Sequence, residues 1–287
     1  MKKFLIVIIT MCSVCHLLYA KKLQVSVSIP PLSFFVQGIA KSRADIHIIV
    51  PQNKNAETYE SSFKDMQTLA NSDIFIGIGM PFENIWLPKI LKANKQQNTL
   101  EIVMLHEDLD KKDQMHLWLS IENAREITNI ITIALASKDP QNASFYAENA
   151  KEIYHAIEIL ERKIKSHLEK MPHKDFIVFH PLFDKAAAEY GLIEHALEQH
   201  GKTYGMKEIL GLADFGKKAG IKKVFAESNN KDIATLAKTM GAKVILINPM
   251  SSDYIKNLES IFAEYARVMN NRGFKDFVFH VFYLFKL

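Results

Sequence analysis

The chain reads as an α/β protein of two lobes, each built on a mostly parallel four-stranded sheet flanked by helices, with one long rigid helix joining them. Three observations predict this. Short β-branched runs alternate with helical patterns up to about Asp139, and such alternation implies a parallel sheet covered on both faces. The same alternation restarts after His173. Between the two series, Ala143, Tyr146, Ala150, Ile153, Ile157, Leu160 and Ile164 recur at spacings of three and four, with Leu168 and Met171 continuing the stripe. No glycine or proline interrupts Gln141 to Met171, and at about 1.5 Å of rise per residue the helix would span roughly 45 Å, enough to reach from one lobe to another. A coiled-coil strand or an ordinary core helix would show the same stripe, so its neighbours decide the reading.

In chain order, Leu23 to Ile29 forms a strand that ends at Pro30-Pro31, and Leu32 to Ala40 a helix. Ile46 to Val50 is a strand stopped by Pro51, and the polar loop Gln52 to Ala56 leads to a helix from about Tyr59 to Ala70. Ile74 to Gly79, Phe82 to Ala93 and Leu100 to Leu105 add strand, helix and strand. The polar stretch His106 to His116 then gives way to apolar Leu117-Trp118-Leu119 and a helix from Glu122 to Ser137.

After the long helix, Phe176 to Phe179 is a strand ending in His180-Pro181, followed by a helix from Leu182 to Tyr190. Ile193 to Leu197, Val224 to Ala226 and Val244 to Ile247 complete the strands, with helices around Lys207 to Ala219, Asp232 to Met240 and Tyr254 to Met269. The expected divisions are a leader at 1–20, a first lobe at 21–140, the linking helix at 141–172, a second lobe at 173–273 and an aromatic tail at 274–287.

Length and composition set bounds. A chain of 287 residues with 48% hydrophobic content can bury two cores. Lys2 and Lys3, the apolar run Phe4 to Ile9 and Leu18-Tyr19-Ala20 read as a secretory signal cleaved after Ala20. Its apolar run is too short for a permanent anchor. Cys12 and Cys15 both lie in that leader, so the mature chain has no cysteine and must rely on its cores. A lipid-attachment cysteine normally follows a small residue, whereas Cys15 follows Val14, so a free periplasmic product is expected. Losing two lysines with the leader takes 36 basic residues to 34, against 32 acidic ones. That near balance, without a basic cluster interleaved with aromatics, gives no support to nucleic-acid binding.

In parallel sheets, ligands bind in loops beyond the carboxyl ends of the strands. The turn after Val50 and the segment after Leu105 qualify on topology. His116, flanked by Leu117 and Trp118, would be held by packing as a positioned ligand must be, although a packed boundary histidine looks the same. His180, Glu227 and Asn248 fall at or just past strand ends. Each also has a structural role open to it: terminating a strand, capping a helix or holding a turn.

These features together resemble the zinc and manganese solute-binding proteins of bacterial ABC importers, over roughly residues 23–271. Val27-Ser28-Ile29-Pro30-Pro31-Leu32 is similar to that family's opening strand, and Pro51 through Thr58-Tyr59-Glu60 to its first metal loop. His116-Leu117-Trp118-Leu119 is similar to the second ligand motif and Phe179-His180-Pro181 with Tyr190-Gly191-Leu192 to the third. Phe225-Ala226-Glu227 and Gly241-Ala242-Lys243-Val244 through Asn248-Pro249-Met250 follow in the expected order. The resemblance implies a monomeric periplasmic protein, not an enzyme, that takes a divalent metal ion between its lobes and passes it to an inner-membrane ABC permease.

It also implies a ligand set of His116, His180, Glu57 and Asn248. The two histidines match residue by residue. Glu57 stands where the family usually has histidine, and Asn248 where it usually has aspartate. Histidine at 180 resembles the zinc-type members, while the short segment His106 to Asp113 replaces their long His-rich loop. Two imidazoles and one carboxylate suit Zn2+, with Mn2+ or another divalent transition metal as the alternative, because affinity order alone does not select zinc. Glu60, Glu227 or water could also complete the shell. Two other functions share some of these features. A secreted zinc hydrolase would use a similar ligand set, but His-Glu-x-x-His and Gly-x-Ser-x-Gly are both absent. A surface adhesin is the other, implied by the resemblance because some members of that family are described as adhesins, and the aromatic tail, with Phe277, Phe279, Phe282, Tyr283 and Phe285, would suit a partner surface or packing on the body. Two lobes on one long packed helix should shift little when metal binds.

Overall fold

The computed structural model describes residues 21–93, 100–108, 116–169, 174–199, 202–203 and 205–267. The leader with Cys12 and Cys15, the tail 274–287 and Met171 lie outside the described residues. The described residues divide into two compact units, those within 1–110 and 128–153, and those within 111–127 and 154–287.

The first unit holds strands β1 (Leu23–Val27), β2 (Ala44–Ile48), β3 (Ile74–Gly77) and β4 (Glu101–Met104), ordered β2-β1-β3-β4 and all parallel. Ile74, Phe75 and Ile76 on β3 are buried on both faces of the sheet, which is why that run is continuously apolar, whereas β1 alternates, with Val25 and Val27 on one face and the buried Ser26 on the other. Helix α1 (Pro30–Ala40) starts on the two prolines, whose fixed φ suits a first turn, and buries Leu32, Phe35, Val36 and Ile39. Helix α2 (Phe63–Ala70) begins four residues later than the apolar pattern implied. Ser62 caps it through a reciprocal box with Asp65, and Tyr59 packs instead on Phe82, with ring centroids 6.0 Å apart.

Helix α3 (Pro81–Ala93) and a single helical turn, α4 (Leu105–Asp108), follow β3 and β4. At the carboxyl edge of this sheet, Glu83 is almost fully buried and accepts hydrogen bonds from Ser28 Oγ, Gly79 N at 2.8 Å and Ile78 N at 3.3 Å. It ties the turn after β1 to the turn after β3, and burial holds its carboxyl above the ordinary carboxylate range. Gly79, at φ +93, is required there, since a Cβ would sit 3.0 Å from the His106 ring in a backbone region that disfavours side chains.

Two helices contribute to both units. Helix α5 (Ile121–Lys138) passes from the second into the first. Helix α6 (Ala143–Leu168) is the predicted long helix, continuous through Ile153 and Tyr154 where the division falls. Its stripe is buried throughout: Tyr146, Ala150, Ile153, Ile157, Leu160, Ile164 and Leu168. On the first unit, Asn149 Nδ2 donates to Ile39 O at 2.8 Å. A Cβ added at Gly38 would lie 2.3 Å from Ile153 Cδ1, so α1 and α6 approach closely where glycine permits it.

The second unit repeats the design. Strands β5 (Asp175–Val178), β6 (Ile193–Ala196), β9 (Lys223–Ala226) and β10 (Lys243–Leu246) are parallel in the order β10-β9-β5-β6. Between β6 and β9 lies a two-residue antiparallel hairpin, β7 (Glu198–Gln199) with β8 (Lys202–Thr203), which the sequence reading did not contain. Helices α7 (Asp184–Glu189), α8 (Met206–Lys218), α9 (Lys231–Met240) and α10 (Tyr254–Arg267) connect or cover the strands. One core cluster joins Ile177, Val224 and Ala226 to Ile209, Ile233, Leu236 and Met240. A second, aromatic cluster gathers Phe176, Phe183, Phe225, Phe262 and Tyr265 at centroid distances of 4.4 to 6.4 Å.

Residues 116–127, read with the first lobe, pack with the second. Trp118 is 2% exposed, donates from Nε1 to Pro249 O at 2.9 Å and accepts Tyr254 Oη at 2.5 Å on its carbonyl. Glu189 adds a second tie, accepting Ser120 Oγ and, at 3.1 Å, Ile121 N. A carboxylate at the first turn of α5 also complements that helix's dipole.

Candidate metal centre

His180 stands just past the carboxyl end of β5, a strand with neighbours on both sides. Pairing runs past the strand's last residue: Phe179 N donates to Phe225 O at 2.7 Å, and Glu198 N donates to Phe179 O at 2.8 Å. The backbone just before His180 is therefore fixed. Beyond Pro181, the Glu194 carboxylate on β6 accepts Leu182 N at 3.0 Å and Phe183 N at 3.1 Å. The His180 ring has its Nδ1 3.4 Å from Glu198 Oε1, with the two side chains 13% and 15% exposed.

His116 precedes a 3₁₀ turn, Leu117–Leu119, and its carbonyl accepts Leu119 N at 3.1 Å. Asn123 Nδ2 donates to Leu117 O at 3.2 Å, closing the turn onto the start of α5. The Trp118 ring packs edge-on against the His116 ring at 5.5 Å. The histidine is thus mounted on a buried tryptophan.

The structure brings these two histidines together. Their ring centroids are 5.2 Å apart at 85°, and a ring nitrogen of one lies within 4.8 Å of a ring nitrogen of the other. Two nitrogens at about 2.0–2.1 Å from one tetrahedral ion stand roughly 3.4 Å apart, a distance that small ring rotations reach. Both residues belong to the second unit, so these two nitrogens come from one side, not from opposite lobes.

Glu57 belongs to the first unit, beyond the carboxyl end of β2. Ile49 N and Val50 N continue the pairing past that strand onto Val27 O and Ser28 O, each at 2.9 Å. Asn55 Oδ1 then accepts Glu57 N at 2.8 Å and Thr58 N at 3.3 Å, a side-chain-closed turn that fixes the Glu57 backbone. Ala56 is buried beneath it, Glu57 is half-buried and Glu60 exposed. Asn248 is exposed and holds a turn: its Oδ1 accepts Met250 N at 3.0 Å, and its carbonyl accepts Asn257 Nδ2 at 2.7 Å. Glu227, at the end of β9, is exposed.

Glu194 and Glu198 support the His180 region and were not singled out in the sequence. No motif marks them, because each acts through a neighbour brought close by sheet pairing. Glu194 carries a testable consequence. Burial, reinforced by a hydrogen bond with Asp184 and its charge, pushes its carboxyl up to about 8 from the ordinary 4.5. The folded chain then keeps a proton that the unfolded chain releases. The associated stability is complete below about 4.5 and is lost as pH rises through about 8. Glu194→Gln retains an acceptor for Leu182 and Phe183 but has no proton to lose. Thermal unfolding from pH 5 to pH 9 should therefore show a flatter profile in the variant, with its advantage at high pH; parallel profiles would refute the assignment.

Comparison with known proteins agrees with this architecture. Residues 25–269 match the model of the family described as zinc-uptake complex component A, periplasmic. The chain is 23% identical over 252 residues to the high-affinity zinc uptake system protein ZnuA of Bacillus subtilis strain 168, covering 80% of this chain and 79% of that protein. It is 26% identical over 165 residues to the manganese ABC transporter substrate-binding lipoprotein PsaA of Streptococcus mitis, covering 53% of each. A crystal structure of ZnuA superposes with a TM-score of 0.80 at 26% identity, over 86% of this chain and 99% of that one. The family is one of substrate-binding proteins of ABC importers, not enzymes, against the zinc-hydrolase reading. The chain belongs to the periplasmic zinc-uptake component A family, the zinc and manganese solute-binding proteins that serve ABC importers.

Proposed function

We propose that the mature chain captures a divalent transition metal outside the cytoplasm, zinc before manganese, and delivers it to an ABC permease of the inner membrane. The observation that carries this reading is the His116–His180 pair, with rings 5.2 Å apart, one past the end of a central strand beside Glu198 and the other packed on Trp118. Glu57 supplies the carboxylate, on a turn built to present it, and Asn248 or a water takes the fourth position. With one carboxylate the site keeps a formal charge of +1, so its affinity is lower than that of a four-ligand site with aspartate in place of Asn248. Two imidazoles favour zinc over the harder manganese ion. Cleavage after Ala20 releases a soluble monomer to the periplasm, and its nearly balanced charge leaves no role for nucleic acid.

Competition titration of residues 21–287 with Zn2+ tests the proposal. One ion per chain is expected, with affinity falling as pH drops through about 6 to 7, where free imidazole gains a proton and ceases to be a ligand. Binding no tighter than millimolar, or affinity flat from pH 8 to pH 5, would overturn it.

A further inference from the structure

We infer that Glu198 is a positioning residue of the metal centre, holding the His180 ring by its Nδ1 so that Nε2 is the nitrogen presented to the ion. The inference rests on the proposed function, because it assigns how one of that site's ligands is oriented. Its geometry is independent of any ion. Glu198 Oε1 lies 3.4 Å from His180 Nδ1, a few tenths of an ångström beyond a settled N–H···O bond, and both side chains are largely shielded from water.

The backbone explains why these side chains meet. Leu197 N donates to Val178 O and Phe179 O at 3.0 and 3.1 Å, and Glu198 N to Phe179 O at 2.8 Å. These bonds carry the β5–β6 pairing one step past the ends of both strands. They set Glu198 beside the residue that precedes His180. The hairpin pairing of Glu198 with Thr203 and Gln199 with Lys202 fixes the same residue from its other side. A two-residue hairpin at the ligand edge of the sheet contributes little core, but it does place one carboxylate against one imidazole.

The chemical consequence follows from the ring. A neutral imidazole carries one N–H. A carboxylate facing Nδ1 holds that hydrogen there, leaving the Nε2 lone pair for a metal, and it raises the basicity of the nitrogen that binds. The two nitrogens point to opposite sides of the ring, so anchoring one aims the other.

Three measurements test this on residues 21–287. Nitrogen-15 NMR of the metal-free chain should show His180 in the Nδ1–H tautomer. Zn2+ competition should show affinity falling about 10- to 100-fold in Glu198→Ala. Glu198→Gln, whose amide oxygen still accepts the Nδ1 hydrogen, should lose only a few-fold and keep the tautomer. Co2+ absorption should show a distorted ligand field in Glu198→Ala and a near-native one in Glu198→Gln. An Nε2–H tautomer, or Glu198→Ala affinity within twofold of the parent, would overturn the inference. The tautomer is read in the unsubstituted chain, so it decides the matter even if Glu198→Ala fails to fold. Failure of the metal-binding function looks different, since the parent chain itself would then bind no zinc.

Discussion

Replacing His116 and His180 together by alanine is expected to lower zinc affinity at least about a thousandfold, a loss of about 4 kcal/mol. The effect is large because these rings are two of the three protein groups with strong donor atoms in the proposed shell, and a lone Glu57 carboxylate holds a divalent ion poorly in water. Each single substitution should remove most of the binding, since the remaining imidazole then acts almost alone. Stability should change little. His180 stands at the edge of the sheet, and the hydrogen bonds that hold the chain around it are made by Phe179, Leu182 and Phe183, which the substitution leaves in place. The measurement is competition titration beside thermal unfolding. A double variant that still binds one zinc per chain at near-parent affinity would show that the ion, if any, sits elsewhere.

Much of the architecture was legible because burial on both faces leaves a plain record. The unbroken apolar run Ile74-Phe75-Ile76 marks a central strand of a covered sheet. Pro30-Pro31 marked the start of α1, and the stripe from Tyr146 to Leu168 marked α6. The two histidines were legible for a related reason: each borders an apolar run, His180 just after one and His116 just before one, and the resemblance singled out both.

What could not be read depended on contacts between distant residues. The membership of His116 in the second unit is set by Trp118 Nε1 reaching Pro249 O, 131 positions away. Nothing local in Met115 to Leu119 records that partner. Tyr59 reads as the start of a helix running to Ala70, after the polar loop Gln52 to Ala56. Its ring instead anchors the loop on Phe82, while the Ser62–Asp65 box sets the true start. Glu194 lies inside the strand run Ile193 to Leu197 and Glu198 just after it, and no local pattern marks either one. Only the β5–β6 register, Asp175 against Ile193 and Val178 against Ala196, carries them to the His180 turn. Motifs record what a residue type can do, whereas register decides what it meets.

Trp118→Ala is expected to destabilise the protein by about 3–5 kcal/mol, the range for emptying a large buried aromatic site. For a chain of this size that corresponds to a fall in Tm of roughly 10 °C. Three losses combine. The ring's volume leaves a cavity, Pro249 O loses its 2.9 Å donor, and the carbonyl that accepts Tyr254 Oη is no longer held by a packed side chain. The same change should weaken zinc binding, because the His116 ring loses the surface it packs on at 5.5 Å and gains rotational freedom that binding must then remove. Trp118→Phe separates the two effects. It keeps most of the apolar volume and a ring beside His116 but gives up the hydrogen bond to Pro249, so it should cost about 1–2 kcal/mol and leave zinc affinity nearly unchanged. Denaturant unfolding and zinc titration of both variants check the argument. If Trp118→Ala kept parent affinity while losing the expected stability, the tryptophan would serve the core alone, and His116 would be held by the 3₁₀ turn without it.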